Sequence, residues 1–466
     1  MPNVVVVGGG LTGLTVAFRL KQFAPGVAVT VLDPRDRPGG NIATEEHRGF
    51  RVECGPNGFL DRTPAVPELV RDLGLSDRLI AASEGSRKNR YLFLGGKLRK
   101  MPRGPLGLLT TPLLSLSGKW KLVTEPWRKS PPPAHEESVQ EFVTRRAGPE
   151  AANVFADALV TGIHGGDPAM LSVAAAFPRL PVMEREAGSV IRGFMRAAKQ
   201  RKRDAQARNE PPPGPMRMWS FREGLQVLTD ALAEQLGGAV KCGVGVQSLS
   251  EAASMGAWQV DTARGKPLAA DAVVLACPAY EQAAILADLN QPLADEIGAI
   301  PYNRIAVVAL AYRQEHCPTR VDGFGYIAPQ NTRRDVLGVQ WCSSIFPDRA
   351  PPGFVLWRAL CGGVHRAEQL EWDDDRLAKA VHEEIKLAMG VTGEPVFRRI
   401  VRWHAAIPQY VIGHLDRVAR IDALAAQHPG LFLTGNAYRG VAMADCVEQA
   451  GLVAAKVAQF VQNSAT

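Results

Sequence analysis

Six residues near the N-terminus restrict this chain more than any other stretch: Gly8-Gly9-Gly10-Leu11-Thr12-Gly13, a G-x-G-x-x-G pattern. They follow Val4 to Val7, an unbroken β-branched run of the kind buried on both faces of a parallel sheet. They lead into a helical pattern through about Phe23, and a second strand-like run, Val27 to Leu32, ends on Asp33, twenty residues past the last glycine. Strand, glycine turn, helix, strand and acid are the order of a dinucleotide-binding βαβ unit. In such a unit the first glycine makes the turn, the second admits a pyrophosphate to the backbone, and the third lets helix and strand touch. The helix N-terminus supplies N–H groups to the phosphates, and Asp33 accepts from ribose hydroxyls.

Three further glycine-rich segments extend the pattern. Gly39-Gly40 comes soon after Asp33, Gly55-Pro56-Asn57-Gly58 follows, and a Gly435-Asn436 turn precedes the last helix. A nicotinamide domain would continue alternating strand and helix. A long flavin needs backbone contacts beyond its phosphates, so three separated glycine-rich segments favour FAD. No cysteine or histidine lies in a recognisable flavinylation context, so the expected flavin is non-covalent.

The 466 residues are too many for one ordinary core, and 46% hydrophobic with 22% charged residues is a globular composition. A formal charge of +7 identifies no partner, and neither zinc-finger spacing nor a basic-aromatic strip points to nucleic acid. Seven cysteines without close pairs argue for a reducing compartment. Met1-Pro2-Asn3 runs straight into the first strand, which reads as no secretory or transit signal, and no apolar run is long enough to span a bilayer. A cytoplasmic protein is expected.

Further along, Pro64 to Leu75 has helical spacing, Arg90 to Leu98 reads as a strand pair around Gly95-Gly96, and Met101 to Ala198 is mostly helical. Lys199 to Arg217, with six basic residues, two acidic ones and Pro211-Pro212-Pro213, is expected to be an exposed, mobile loop. Strands are expected at Ala239 to Leu249, Trp258 to Thr262, Ala272 to Ala276, Ile305 to Tyr312, Phe324 to Ile327, Phe354 to Leu360 and Leu431 to Leu433, with a final helix from Val447 to Val461.

With those segments in place, the chain resembles the protoporphyrinogen oxidase family within the amine-oxidase-like flavoproteins. The resemblance runs over nearly the whole chain. Besides the glycine segments it lies in Glu53-Cys-Gly-Pro-Asn57, Lys88-Asn-Arg-Tyr91, Thr161-Gly-Ile-His-Gly-Gly-Asp-Pro168, Ser220-Phe-Arg-Glu-Gly-Leu-Gln226, Asp322-Gly-Phe-Gly325, Phe346-Pro-Asp-Arg-Ala350, Trp403, Ile407-Pro-Gln-Tyr410 and Gly435-Asn-Ala-Tyr-Arg-Gly440. It implies an α/β fold of mixed α+β character: a Rossmann-like FAD domain over 1–89, 218–282 and 428–466, a helical membrane-facing domain over 90–217, and a mixed-sheet substrate domain over 283–427. Implied flavin contacts are Gly8, Gly9, Gly10, Leu11, Thr12, Gly13, Asp33, Pro34, Asn41, Gly55, Pro56, Asn57, Gly58, Val246, Trp403, Val441, Ala442 and Met443. Implied substrate contacts are Arg90, Gly162, Ile305, Val321 and Trp341. Asp33 stands where the family usually has Glu, and Ser220-Phe-Arg-Glu-Gly lacks one of the usual glycines.

The implied activity is oxidation of protoporphyrinogen IX to protoporphyrin IX, with oxygen as acceptor and hydrogen peroxide as by-product. Coproporphyrinogen III is the alternative substrate, and a flavin amine oxidase or a non-catalytic FAD protein are the other readings. No dedicated acid, base or metal is required, because the flavin carries the redox chemistry. Single residues keep two readings each. Arg90 is a propionate anchor or a surface charge, and Gly162 admits a macrocycle or ends a helix. The leucines from Leu106 to Leu116, flanked by Lys97, Arg99, Lys100, Arg103, Lys119 and Lys121, are a peripheral membrane patch or an internal seam. His164 and Cys446 read as a turn histidine and a buried thiol. A homodimer is compatible with the sequence.

Overall fold

A computed structural model describes the chain except for residues 129, 208–213, 215, 253–256, 264, 318–320 and 465–466. It forms two compact units, one of Met1–Ala81, Met218–Pro301 and Asp416–Thr466, the other of Ala82–Arg217 and Tyr302–Leu415.

The first unit is built on a five-stranded parallel sheet, in the order Val240–Cys242, Ala28–Asp33, Asn3–Val7, Ala272–Leu275, Leu431–Leu433. Its central strands are apolar and β-branched because protein covers both faces: Val4, Val5 and Val6 are wholly buried, as are Val273 and Val274. Helices Leu11–Phe23, Gln226–Leu236 and Met443–Asn463 share one core with the sheet. The last helix turns Val447, Ala450, Ala454, Val457 and Val461 inward, the three-to-four spacing of a buried stripe. A three-stranded antiparallel sheet of Val246–Glu251, Trp258–Thr262 and Leu268–Ala270 links strand Val240–Cys242 to strand Ala272–Leu275.

The second unit carries a seven-stranded sheet, in the order Phe397–Trp403, Ile305–Arg313, Phe354–Gly362, Gly338–Gln340, Gly325–Ile327, Arg90–Leu94, Lys97–Lys100. Every neighbouring pair is antiparallel except Gly325–Ile327 with Arg90–Leu94. One face packs Ala306, Val308, Leu310, Tyr312, Trp357, Ala359, Cys361, Val339, Tyr326 and Phe93 under helix Asp374–Met389. On the other face lie helix Asp157–His164 and, beyond it, a helical layer held by buried ion pairs. Arg145 bridges Glu137 and Glu184 at 2.7 Å each, and Arg146 pairs with Glu125. Burial alone would raise the Glu125 pKa. The Ser189 hydroxyl and the Arg146 guanidinium hold it below the ordinary value instead.

Several expectations change. Residues 199–207 are not a loop but the end of helix Val190–Ala207; Lys, Arg, Gln and Ala are good helix formers, and exposed charge does not break a helix. The Pro211-Pro212-Pro213 run lies outside the described residues. The expected strand Ala239 to Leu249 is two strands in different sheets, parted by Gly243 at φ +74°. Segments 283–301 and 416–427, expected with the substrate sheet, pack in the first unit, where Glu296 binds Arg417 and Arg420. Segments 90–217 and 302–415, expected as separate domains, are one compact unit joined through the seven-stranded sheet.

Candidate functional site

The glycine turn is built by close approach. Gly8 has φ +105°, and a Cβ there would lie 2.8 Å from the Cys277 backbone nitrogen. A Cβ on Gly13 would lie 1.9 Å from the Gly8 carbonyl oxygen, so the helix reaches the strand only because position 13 is bare. Gly9 N–H donates to Asp33 Oδ2 at 2.7 Å, and Arg35 N–H donates to Asp33 Oδ1 at 2.9 Å, which fixes the buried carboxylate at the end of its strand. Gly39 N–H donates to the Gly9 carbonyl at 2.7 Å, and Gly40 Cα comes against Gly10. The second glycine pair is therefore stacked on the first. Leu11–Phe23 begins with no acid in its first turn and no side-chain cap, leaving its N-terminal N–H groups to a ligand.

Around this turn the other expected flavin residues of the first unit converge. Val244 N–H donates to the Asp33 carbonyl at 2.9 Å and Gly245 lies against Pro34, which brings Val246 beside the acid. Gly55 crosses the Asn41 carbonyl so closely that a Cβ would sit 2.0 Å from its oxygen. Asn57 is 4% exposed, and neither atom of its amide has a protein partner. A buried amide that the protein leaves unmatched is costly and fits a polar ligand edge. Val441, Ala442 and Met443 enter the last helix, whose Asp445 accepts the Ala442 N–H at 3.3 Å and pairs with Arg62. Cys446 is half-buried beside Thr12, its pKa pushed up to about 11 by desolvation of the thiol, which makes it a poor nucleophile.

The sequence reading gave no role of their own to two residues of this region. Thr434 is buried with an unmatched hydroxyl just before the Gly435 turn, and only its place at a strand end marks it. Glu53 is a structural member of its motif: it accepts from Leu225 N–H at 2.9 Å and Thr44 Oγ1 at 2.8 Å, tying the flanking strand to the start of helix Gln226–Leu236.

The expected substrate residues lie in the second unit, and register divides them between faces. Arg90 pairs with Gly325, Leu92 with Ile327, and Ile305 with Trp403. By the two-residue alternation of strands, Arg90, Ile327, Ile305 and Trp403 share the face opposite the Tyr326–Trp357 core. Gly162 belongs to that face too, because a Cβ there would meet Ile327 Cδ1 at 2.7 Å. Val321 and Trp341 pack with the core on the other side, where Trp341 lies 5.5 Å from the Tyr91 ring. Arg90 keeps solvent access along its side chain, with its guanidinium 4.7 Å above the Phe324 ring. Crowding of that guanidinium, followed by the charge of Arg103, lowers its pKa.

His164 ends helix Asp157–His164 with 1% exposure. Neither ring nitrogen has a partner, Phe177 stands edge-on at 5.6 Å, and burial lowers its pKa to about 4. It is a neutral packing group. In the leucine-rich stretch, Leu113 and Leu114 are buried, whereas Leu106, Trp120 and Trp127 are 74%, 70% and 71% exposed. A cleft of about 560 Å³ between helices Arg179–Ala187 and Val190–Ala207 is lined by Arg179, Arg196, Lys199 and Arg203. No helix among the described residues is long and apolar enough to cross a membrane.

A parallel sheet with a glycine turn, a buried acid at the next strand end and two further glycine segments stacked beside them defines an FAD-dependent oxidoreductase. The particular family follows from comparison: the chain belongs to the flavin containing amine oxidoreductases, whose profile matches residues 11–458. It is 32% identical to protoporphyrinogen oxidase 1, chloroplastic, of Arabidopsis thaliana, over 99% of this chain and 89% of that protein. It is 30% identical to coproporphyrinogen III oxidase of Bacillus subtilis, over 96% of each. A solved structure from Exiguobacterium sp. 255-15 superposes with a TM-score of 0.83 at 24% identity, covering 99% of both chains. Cyclohexylamine oxidase of Brevibacterium oxydans superposes at 0.71 with 15% identity over 99% of both chains. These two likenesses are of fold.

Proposed function

We propose that the protein oxidises protoporphyrinogen IX to protoporphyrin IX, with oxygen as acceptor and hydrogen peroxide as by-product. The observation that carries this reading is Arg90, a guanidinium with no ion-pair partner among the described residues, on the same sheet face as Gly162 and Ile305. A planar fork over an aromatic ring suits a propionate, and the neighbouring glycine leaves room for a flat ring system. The relatives at 30% identity and above that act on porphyrinogens support it.

When bound, FAD supplies a two-electron acceptor. Gly8 to Gly13, Asp33, Pro34, Asn41, Gly55 to Gly58, Val246 and Val441 to Met443 would hold it. The substrate needs little acid–base help: loss of hydride from a bridge carbon leaves a conjugated cation that readily sheds a pyrrole proton. This chain's part is to orient the macrocycle and keep water away. Repeated two-electron rounds end in an aromatic ring.

Coproporphyrinogen III is the second reading, supported by the Bacillus relative. Steady-state turnover of the two porphyrinogens side by side, with peroxide counted against porphyrin formed, is the test. Turnover of neither would overturn the reading, and preference for the tetra-acid would replace it with the second. The exposed Leu106, Trp120 and Trp127, with the cations of the Arg196 cleft in the same unit, further support peripheral contact with an anionic lipid surface at the cytoplasmic membrane.

A further inference from the structure

Arg90 is not the only cation at its end of the sheet. Strand Arg90–Leu94 pairs with Lys97–Lys100 in a register that sets Tyr91 opposite Lys100, and Met101 N–H donates to the Arg90 carbonyl at 2.8 Å. Arg90 and Met101 are thus partners on one face. Arg103 is two residues beyond Met101, its backbone still extended at φ −126° and ψ +126°. In that geometry a residue diagonal to its cross-strand neighbour projects to the same face, within reach of a long side chain.

The remaining charges nearby are engaged elsewhere. Arg99 shares this face but donates its Nε–H to the Leu94 carbonyl at 3.2 Å. Asp322, close in the chain to Phe324, lies with its carboxylate against Gly85, and its charge acts on Tyr91, which faces the core. Neither Arg90 nor Arg103 has a carboxylate partner among the described residues. Two arginines brought together without an acid between them repel each other, a cost that a bound anion turns into attraction. One guanidinium over the Phe324 ring and a second, exposed one on the same face match two carboxylates carried on one macrocycle.

We propose that Arg103 joins Arg90 in a two-guanidinium seat for two carboxylates of one tetrapyrrole, gripping the macrocycle by its propionate-bearing edge. This rests on the porphyrinogen reading above and extends it from one anchor to two. The seat selects for a dicarboxylate edge, and a substrate with its carboxylates masked loses both contacts.

The test compares the flavin-loaded wild type with Arg103→Ala and Arg103→Lys on protoporphyrinogen IX and on its dimethyl ester. Fluorescence titration of the corresponding oxidised porphyrins gives affinity without turnover. For Arg103→Ala the expected result is a loss of about tenfold to a hundredfold in kcat/KM on the diacid, mostly in KM, with a parallel loss of porphyrin affinity. On the ester the variant should equal the wild type, and lysine should recover part of the diacid loss. An equal loss on diacid and ester would mean that Arg103 only supports the fold, and unchanged diacid kinetics and affinity would remove it from the site; either overturns the proposal. A wild type that oxidises no porphyrinogen would overturn the functional reading instead, and the binding comparison would still decide the role of Arg103.

Discussion

The Gly9 backbone N–H and the Asp33 carboxylate meet at 2.7 Å, joining the glycine turn to the end of the next strand across 24 residues of chain. Asp33 also accepts from Arg35 N–H, so the side chain is held for a ligand rather than found by it. Asp33→Asn keeps the shape but replaces one acceptor by an N–H₂ facing N–H donors. We expect FAD affinity to fall about tenfold or more and stability to fall by about 1–3 kcal/mol. Titration of apoprotein by flavin fluorescence checks the first, and denaturation of the wild type should release all flavin to the supernatant. Flavin left on the precipitate would contradict non-covalent binding.

Two glycines give a paired test of packing. At Gly13 a methyl group would meet the Gly8 carbonyl oxygen at 1.9 Å, and at Gly26 nothing lies within 4 Å. Gly13→Ala should cost about 3 kcal/mol or more and abolish flavin binding, because two backbones would have to part. Gly26→Ala should be neutral or stabilising by about 0.4–1 kcal/mol. Thermal melts of the two variants with and without FAD separate local strain from a general intolerance of alanine.

Arg90→Ala should lower kcat/KM on a porphyrinogen by one to two decades, from a charge-assisted contact of about 1.5–3 kcal/mol. Flavin content should not change. Lysine should recover only part, since it keeps charge and loses the planar fork. Unchanged kinetics with full flavin would return Arg90 to an ordinary surface charge.

The buried His164 carries a pH prediction. Burial lowers its pKa in the folded protein to about 4 from an ordinary 6.5, so between those values the unfolded chain binds the proton and the folded one does not. Stability from this group is then full above about pH 7 and is lost as pH falls toward 4, by about 3 kcal/mol at the limit. His164→Phe, packing against Phe177 as the imidazole does, should flatten that part of the profile. Urea melts of both proteins from pH 7 to pH 4.5 measure the difference, and parallel profiles would show that the imidazole titrates freely.

Trp120 and Trp127 project from the second unit beside Lys121 and Arg128. Replacing both by alanine should reduce sedimentation with anionic vesicles by about tenfold or more while leaving turnover in detergent unaltered. Equal sedimentation of variant and wild type would argue that the lipid contact lies elsewhere.

The nucleotide end of this protein was legible in its residues because its determinants are local. Val4 to Asp33 is one contiguous unit in which Gly8, Gly9 and Gly13 answer contacts made within the unit or at the end of the adjacent strand, and β-branched runs mark strands covered on both faces. The long core strands at Ile305 and Phe354 were legible for the same reason. Less visible was Phe397–Trp403, whose Arg398, Arg399 and Arg402 interrupt the apolar pattern of an edge strand. The end of helix Val190–Ala207, residues 199–207, was hidden by its charge, since a solvated helix end shows little apolar periodicity.

By itself, then, the sequence determined that the chain opens on a dinucleotide-type βαβ unit with a glycine turn and an acid at the next strand end, and that further glycine segments follow it; these follow from turns and periodicities within about 30 residues of chain. Only the tertiary structure decided which candidate substrate residues lie on one face. Arg90 and Ile305 share a face, Trp341 belongs to the opposite core, and Met101, two residues before Arg103, is the cross-strand neighbour of Arg90. The side on which a strand residue projects depends on its register with strands more than two hundred residues away, as Gly325 on Arg90, and a one-residue slip would invert every assignment.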